Sequence, residues 1–397
     1  MPETLTIAQL MQQGALSFGD GYRTKKSEHG QPGLPILRVA EVHNGSIRPE
    51  FSDYVSDSYR GAMGAKVSQP GDIVLTTKGT VGRVAVIPDD SPPFVYSPQV
   101  CYFRVSESGA LDRRFLYYWF KGAEFWSQAG HRKSQTDMAD YLNMADIRSL
   151  CITIPDRSQQ KSIARILGAL DDKISINERI ATTAESLSIT LASGESRRES
   201  IRLDEICTLR KVQMVPQELT DDAVDHYSLP AFDASKLPDR VSPESIKSSK
   251  FTVSESAVLL SKLNPDIPRV WNVEPSPDVP SLASTEFLVL VPRGPLTTHE
   301  LWAVTSQRSF LDELASKVTG TSKSHQRVRP AEVMATEVVD PRQFGDTGQQ
   351  IRSLARRAAL ARQESQALAT LRDTLLPQLM SGRLRVKDAE KIVEDHV

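Results

Sequence analysis

The residues able to do chemistry in this chain fall into two kinds: one short proline-rich tetrapeptide, and several basic loops that also carry amides and hydroxyls. Ser91-Pro92-Pro93-Phe94 sets a polar side chain and a carbonyl beside an aromatic ring. Such a group could accept hydrogen bonds from an exocyclic amino group while the ring stacks on an extruded base. That chemistry also needs a glycine-rich loop after a strand and before a helix, whereas Gly79-Thr80-Val81-Gly82 lies between two strand-like runs. An ordinary proline-rich loop is the competing reading. No GxxxxGK[ST] phosphate cradle is present. Pro238-Asp239 with Glu244 and Lys247 has the wrong Glu–Lys gap for a nuclease centre. The histidines at 29, 43, 131, 226, 299, 325 and 396 show neither HxxxH nor HxH spacing, so no metal site is expected.

The residue types suited to binding are better represented. Tyr22, Arg23, Lys25 and Lys26 follow a Gly-Asp-Gly step, and Arg132, Lys133, Ser134, Gln135 and Thr136 form a second polar run. Lys78 and Arg83 bracket the glycine turn between them. In the second half, Lys262 and Arg269 fall at matching places, and Lys323, Ser324, His325, Gln326, Arg327 and Arg329 repeat the second run. Arg and Lys pair with phosphates or guanine edges, Gln with adenine, and Ser or Thr with backbone or base. Solvated loop charge is the bland alternative. The same loop type at matching positions in two halves favours contact with DNA.

These loops need elements to hold them, and the elements are duplicated. Strand-like runs Pro35–Val39, Gly71–Thr77, Val84–Ile87 and Val100–Val105 precede an aromatic, helically spaced stretch over 113–129. Ala257–Lys262, Arg269-Val270 and Glu286–Val291 repeat that order about 186 residues later. Each copy closes on a proline, a glutamine-rich step and a heptad-patterned helix. The first helix begins after Pro155 and Gln159-Gln160, with Ile163, Leu167, Leu170, Ile174, Ala181 and Ala184 on its apolar seam. The second follows Pro341 and Gln349-Gln350, with Ile351, Leu354, Ala358, Ala361, Leu368 and Leu375. Sustained 3–4 spacing favours coiled-coil packing, most simply antiparallel and related by a pseudo-twofold axis. Asn177 falls on the first seam, where a polar residue can fix register, unless local curvature turns it to solvent. Pro377 is expected to kink or end the second helix, and Gly382 offers its stop.

A chain of 397 residues, 39% hydrophobic and 25% charged, has the size and composition of two soluble modules. The expected boundaries are 1–155, 156–200, 201–341 and 342–397, an α+β chain of two α/β modules joined by two long helices. Neither a membrane span nor a signal peptide is read, and Cys101, Cys151 and Cys207 lack CxxC spacing, which suits a reducing cytoplasm. Net charge is −2, with 16 basic and 16 acidic residues over 1–155 but 15 and 20 over 202–341. Nucleic-acid binding would therefore rest on local clusters, not on bulk charge.

Tyr141-Leu142-Asn143, Ile152–Pro155, Gln159-Gln160 and Ile166–Ile174 resemble the type I restriction–modification specificity subunits. Gly71–Thr76 with Gly79 and Val81-Gly82, and Leu371–Asp373 with Leu375–Leu384, are similar to further stretches of that family. The match is closest in the first module and the helices and looser over 202–340, where Ser256-Ala257 stands in place of Gly71-Asp72. The resemblance implies a non-catalytic subunit whose two target recognition domains each read half of a split sequence in double-stranded DNA. An antiparallel coiled-coil helix pair would space them. It implies two modification (methyltransferase) subunits as partners, with restriction subunits for translocation and cleavage. No cofactor is expected on this chain, with S-adenosylmethionine, ATP and Mg on the partners, in a bacterial or archaeal cytoplasm. Two other classes stay open: a DNA amino-methyltransferase using Ser91–Phe94, and a coiled-coil adaptor with no DNA role.

Overall fold

The computed structural model describes residues 3–48, 50–132, 134–136, 139–194, 199–318 and 326–395, with side chains over 132–140 not described. Contacts divide the chain into unit 1, Met1–Asp172 with Ala369–Val397, and unit 2, Lys173–Leu368. Each unit therefore holds one sheet-based module and a portion of both long helices.

Unit 1 is built on four antiparallel strands, β1 (Leu16–Asp20), β2 (Ile73–Thr76), β3 (Val84–Val86) and β4 (Val100–Val105), in the spatial order β1-β4-β2-β3. β2 is buried along its whole length, as a near-continuous apolar run requires. Stacked Phe18 and Phe103, with Phe120 and Phe125, fill one side of the sheet. The aromatic stretch forms two helices, α1 (Arg113–Lys121) and α2 (Ala123–Arg132), instead of one. The break falls at Gly122, which takes an extended conformation. Asp112 caps α1 by accepting the Phe115 N–H, and Glu124 in α2 accepts from the Trp119 indole and from Thr153. An outlying pair, Glu3–Thr6 with Cys151–Ile154, brings the chain to α3 (Arg157–Ser193).

Unit 2 repeats the sheet with β5 (Cys207–Arg210), β6 (Ala257–Ser261), β7 (Val270–Val273) and β8 (Phe287–Pro292) in the order β5-β8-β6-β7. This is the same arrangement of first, last, second and third strands. α4 (Thr298–Thr305) is buried on every residue and α5 (Arg308–Ser316) on one face. A five-stranded sheet including Val224–Tyr227 and Ser281–Ala283 packs beside it. α6 (Gly345–Met380) carries Pro377 within its last turn and runs only to Met380. Gly382, at φ +71°, supplies the stop, and α7 (Val386–Glu394) follows.

Within unit 2, α3 and α6 run antiparallel: Lys173 pairs with Glu364, and Ala181 and Ala184 pack with Ala358 and Ala361. Small residues at that seam let the backbones approach closely. Within unit 1, α3 residues Ile163, Leu167 and Leu170 and α6 residue Leu375 are buried. No described helix is long and apolar enough to cross a membrane.

Candidate nucleic-acid interface

Strand register decides which sequence-predicted residues meet. In unit 1, β4 starts opposite the ends of β1 and β2 and alongside the start of β3: Cys101 faces Asp20 and Leu75, and Leu75 faces Val84. The segments after β1, between β2 and β3, and before β4 therefore share one end of the sheet. That end carries Tyr22, Arg23, Lys25, Lys26, Lys78 and Arg83. The hairpin formed by Ser134–Thr136 and Ala139–Tyr141 joins it through a bridge between Lys78 and Tyr141 and the Leu142 N–H on Thr77 carbonyl. Gln135 and Thr136 lie in the hairpin by backbone, with their side chains and that of Arg132 not described; Lys133 is outside the described residues.

The residues at this end differ in availability. Arg23, Lys25, Lys26 and Lys78 are exposed. Tyr22 is half-buried against Leu34, Ile36 and Val55, and burial with the Glu28 carboxylate pushes its phenol up. Arg83 donates to the carbonyls of Val39 and Val42 at 3.3 and 3.2 Å, so it ties loops together. Glycine is needed at two places here. A Cβ on Gly21 would lie 2.1 Å from the Ser97 carbonyl oxygen, and one on Gly82, at φ +95°, would meet Trp126. Gly79–Gly82 is thus a strand-to-strand turn beneath an indole.

Unit 2 builds the same end from different side chains. Lys262 and Arg269 lie between β6 and β7, and a bridge between Leu263 and Arg327 stands where Lys78–Tyr141 stands in unit 1. Gln326 accepts the Asn264 N–H through its carbonyl. Arg327 forks onto Glu286 at 2.9 and 3.1 Å, and Arg269 onto Asp233 at 2.7 Å twice. These carboxylates account for part of the acidic excess. Lys323 and His325 lie outside the described residues. Sequence reasoning missed Lys211, exposed with Val212 after β5, where unit 1 has Tyr22–Lys26. Its signal was a position just after the first strand of the repeat.

The remaining chemical candidates are occupied structurally. Phe94 is 1% exposed, packs on Phe51 and Tyr96, and its N–H is held by Ser68 Oγ, so the ring offers no free face. Burial pushes the Cys101 and Cys207 thiols up to about 12, which keeps them from acting as nucleophiles. Of the proposed helix residues, Asn177 is 1% exposed, Leu368 is buried, Ile174 is half-buried, and Leu354 packs against the alanine cluster. Ile351 lies in the core of the second module with Leu203, Trp302 and Phe344.

Two sheets of one strand order, each gathering loops at one end and each followed by a long helix, define a protein of two repeated modules. Residues 16–186, the first module and most of α3, match the family model of the type I restriction modification DNA specificity domain. The chain is 23% identical over 209 residues to the type I restriction enzyme MjaVIII specificity subunit of Methanocaldococcus jannaschii, covering 51% of this chain. It spans about half the length of that curated relative, 48%. The crystal structure of the type I restriction–modification S subunit from M. genitalium matches with a TM-score of 0.57 at 15% identity, covering 96% of both chains. Across its length the chain has the fold of a type I specificity subunit.

Proposed function

We propose that this chain is the non-catalytic DNA-specificity subunit of a type I restriction–modification complex. Each module reads one half of a split sequence in double-stranded DNA, and the long helices act as the spacer between half-sites. The match of residues 16–186 to a DNA specificity domain carries the reading. The repeated strand order, with loops at the same sheet end of the second module, supports a second reader.

In this reading the modules span 1–155 and 201–341, and the spacer segments 156–200 and 342–397. Exposed Arg23, Lys25, Lys26 and Lys78 hold phosphates, while the 134–141 hairpin, with Gln135 and Thr136, meets base edges. Lys262, Gln326 and the 319–325 segment with Lys323 and His325 serve the second half-site. Arg83, Arg269 and Arg327 shape the loops beside them. Two modification subunits dock on the chain, and restriction subunits join them. S-adenosylmethionine, ATP and Mg belong to those partners, in the cytoplasm of the cell.

Mapping methylated adenines across the genome, in cells with and without the gene, tests the reading. A two-part motif with a fixed gap should vanish on deletion. Loss of a continuous motif, or no change, would overturn it.

A further inference from the structure

Two ionic clamps of the same make-up tie a module to both long helices, one inside each unit. In unit 1, Asp171 of α3 accepts from Arg372 of α6 at 2.5 Å and from the Tyr118 hydroxyl at 2.7 Å, with the Lys121 ammonium 3.8 Å away. Lys121 lies 5.1 and 5.7 Å from the ring centres of Tyr117 and Tyr118. In unit 2, Glu185 of α3 pairs with Arg362 of α6 at 2.6 Å and with Lys236 at 2.8 Å. Lys236 lies 5.5 Å from the ring centre of Phe232. Each clamp is a carboxylate from α3, an arginine from α6, and a module lysine set over an aromatic ring.

Duplication alone does not account for this match. Lys121 ends α1, after all four strands of its sheet, whereas Lys236 follows the helix Leu229–Ala234, between β5 and β6. The two lysines are not counterparts in the repeat, so the same chemistry is reached from different places. Lys236 also has φ +54°, in the left-handed region where glycine is favoured. Its N–H still closes the helix on the Ala231 and Phe232 carbonyls. A lysine kept in strained backbone points to a use for its ammonium. Burial raises the Glu185 carboxyl, but Arg362 and Lys236 outweigh it and hold the group low, while burial lowers Lys121. The clamps are ionic and largely shielded from water, where such pairs are directional.

We propose that Asp171 and Glu185 are positioning residues: each joins both helices to its module, fixes the angle at which the reading loops are carried, and so fixes the half-site spacing accepted. The spacing part rests on the DNA-specificity reading above.

The test uses the full chain co-expressed with its modification subunit, and duplexes carrying the mapped half-sites at the native gap and one base pair either side. Wild type should methylate the native gap alone. In Asp171→Asn and Lys236→Gly, methylation of the altered gaps should rise about tenfold relative to the native gap. Lys236→Gly relieves the backbone, so its thermal midpoint should not fall, and Lys236→Arg should restore the wild-type profile. Variants that lose methylation equally at every gap, or keep the wild-type profile, overturn the proposal. A wild type that methylates no split site overturns the reading of function, and the spacing claim with it.

Discussion

Asp72 shows what single residues contribute and how little of it a sequence displays. It is 1% exposed, accepts from Tyr96 at 2.7 Å and the Gln69 N–H at 2.9 Å, and is forked by Arg104 at 2.8 and 2.7 Å. Asp72→Ala should cost about 3–5 kcal/mol, because Arg104 and the Tyr96 hydroxyl lose their partner. Urea unfolding measures this, and a loss under about 1 kcal/mol would contradict it. The run Gly71–Thr76 was legible as a strand, but Asp72 as its anchor was not, since the partners come from 24 and 32 residues away. The same distance problem hid which arginines are engaged: Arg269 and Arg327 find Asp233 and Glu286 36 and 41 residues off. His299 is a second case. Burial lowers its pKa below 6.5, with Asn272 and Glu274 on its two nitrogens. The neutral ring gives its full stability above pH 6.5. As pH falls below that, the unfolded chain takes up a proton that the folded site resists, so stability drops until the folded pKa is reached. His226 shifts in the same direction. The urea midpoint of the chain should therefore fall as pH drops below about 6.5, less steeply in His299→Gln. An unchanged slope in that variant would remove His299 from the account.

At the scale of elements, periodicity was a good guide to existence and a poor one to partners. The heptads gave both long helices, and β4 and its repeat were found nearly to the residue. The two-helix split of 113–129 was missed because Gly122 stops a pattern whose apolar spacing continues across it. Ile351 keeps the heptad phase of α6, yet packs into the second module's core, since one apolar stripe can face a sheet as well as a helix. Asn177 is the informative exception on the seam. Its amide nitrogen and oxygen, like the Ser365 hydroxyl, are buried without a well-formed hydrogen bond among the described residues, although the Glu364 carboxylate lies near enough for the Asn177 amide to help hold it low. Leaving such groups unpaired costs about 1–3 kcal/mol. Asn177→Leu should therefore raise the thermal midpoint of the chain while loosening its choice of helix register. A lower midpoint would mean that the amide is satisfied by water.

For the whole molecule, the repeat carried most of what could be known in advance. Element order follows from it, while strand order depends on register, and the base identities that the proposed function assigns to this sheet end depend on hairpin side chains that no pattern fixes. The spacer role proposed for the helices gives the widest prediction. Inserting one heptad after Asp172 in α3 and one before Ala369 in α6 keeps the apolar phase of both, because seven residues make nearly two turns. At about 1.5 Å per residue the pair lengthens by roughly 10 Å, which is about three base pairs of B-form DNA at 3.4 Å each. Three base pairs also turn the duplex by roughly 100°, given about 10.5 per turn. Each module must then meet its half-site from a new angle. The preferred gap should therefore widen by about three base pairs, at a lower rate than wild type on its own site. A heptad placed in one helix alone misaligns the seam and should abolish methylation at every gap. Methylation across a ladder of gap lengths reads all three proteins at once, and a double insertion that still prefers the native gap would leave the helices as scaffold without a measuring role.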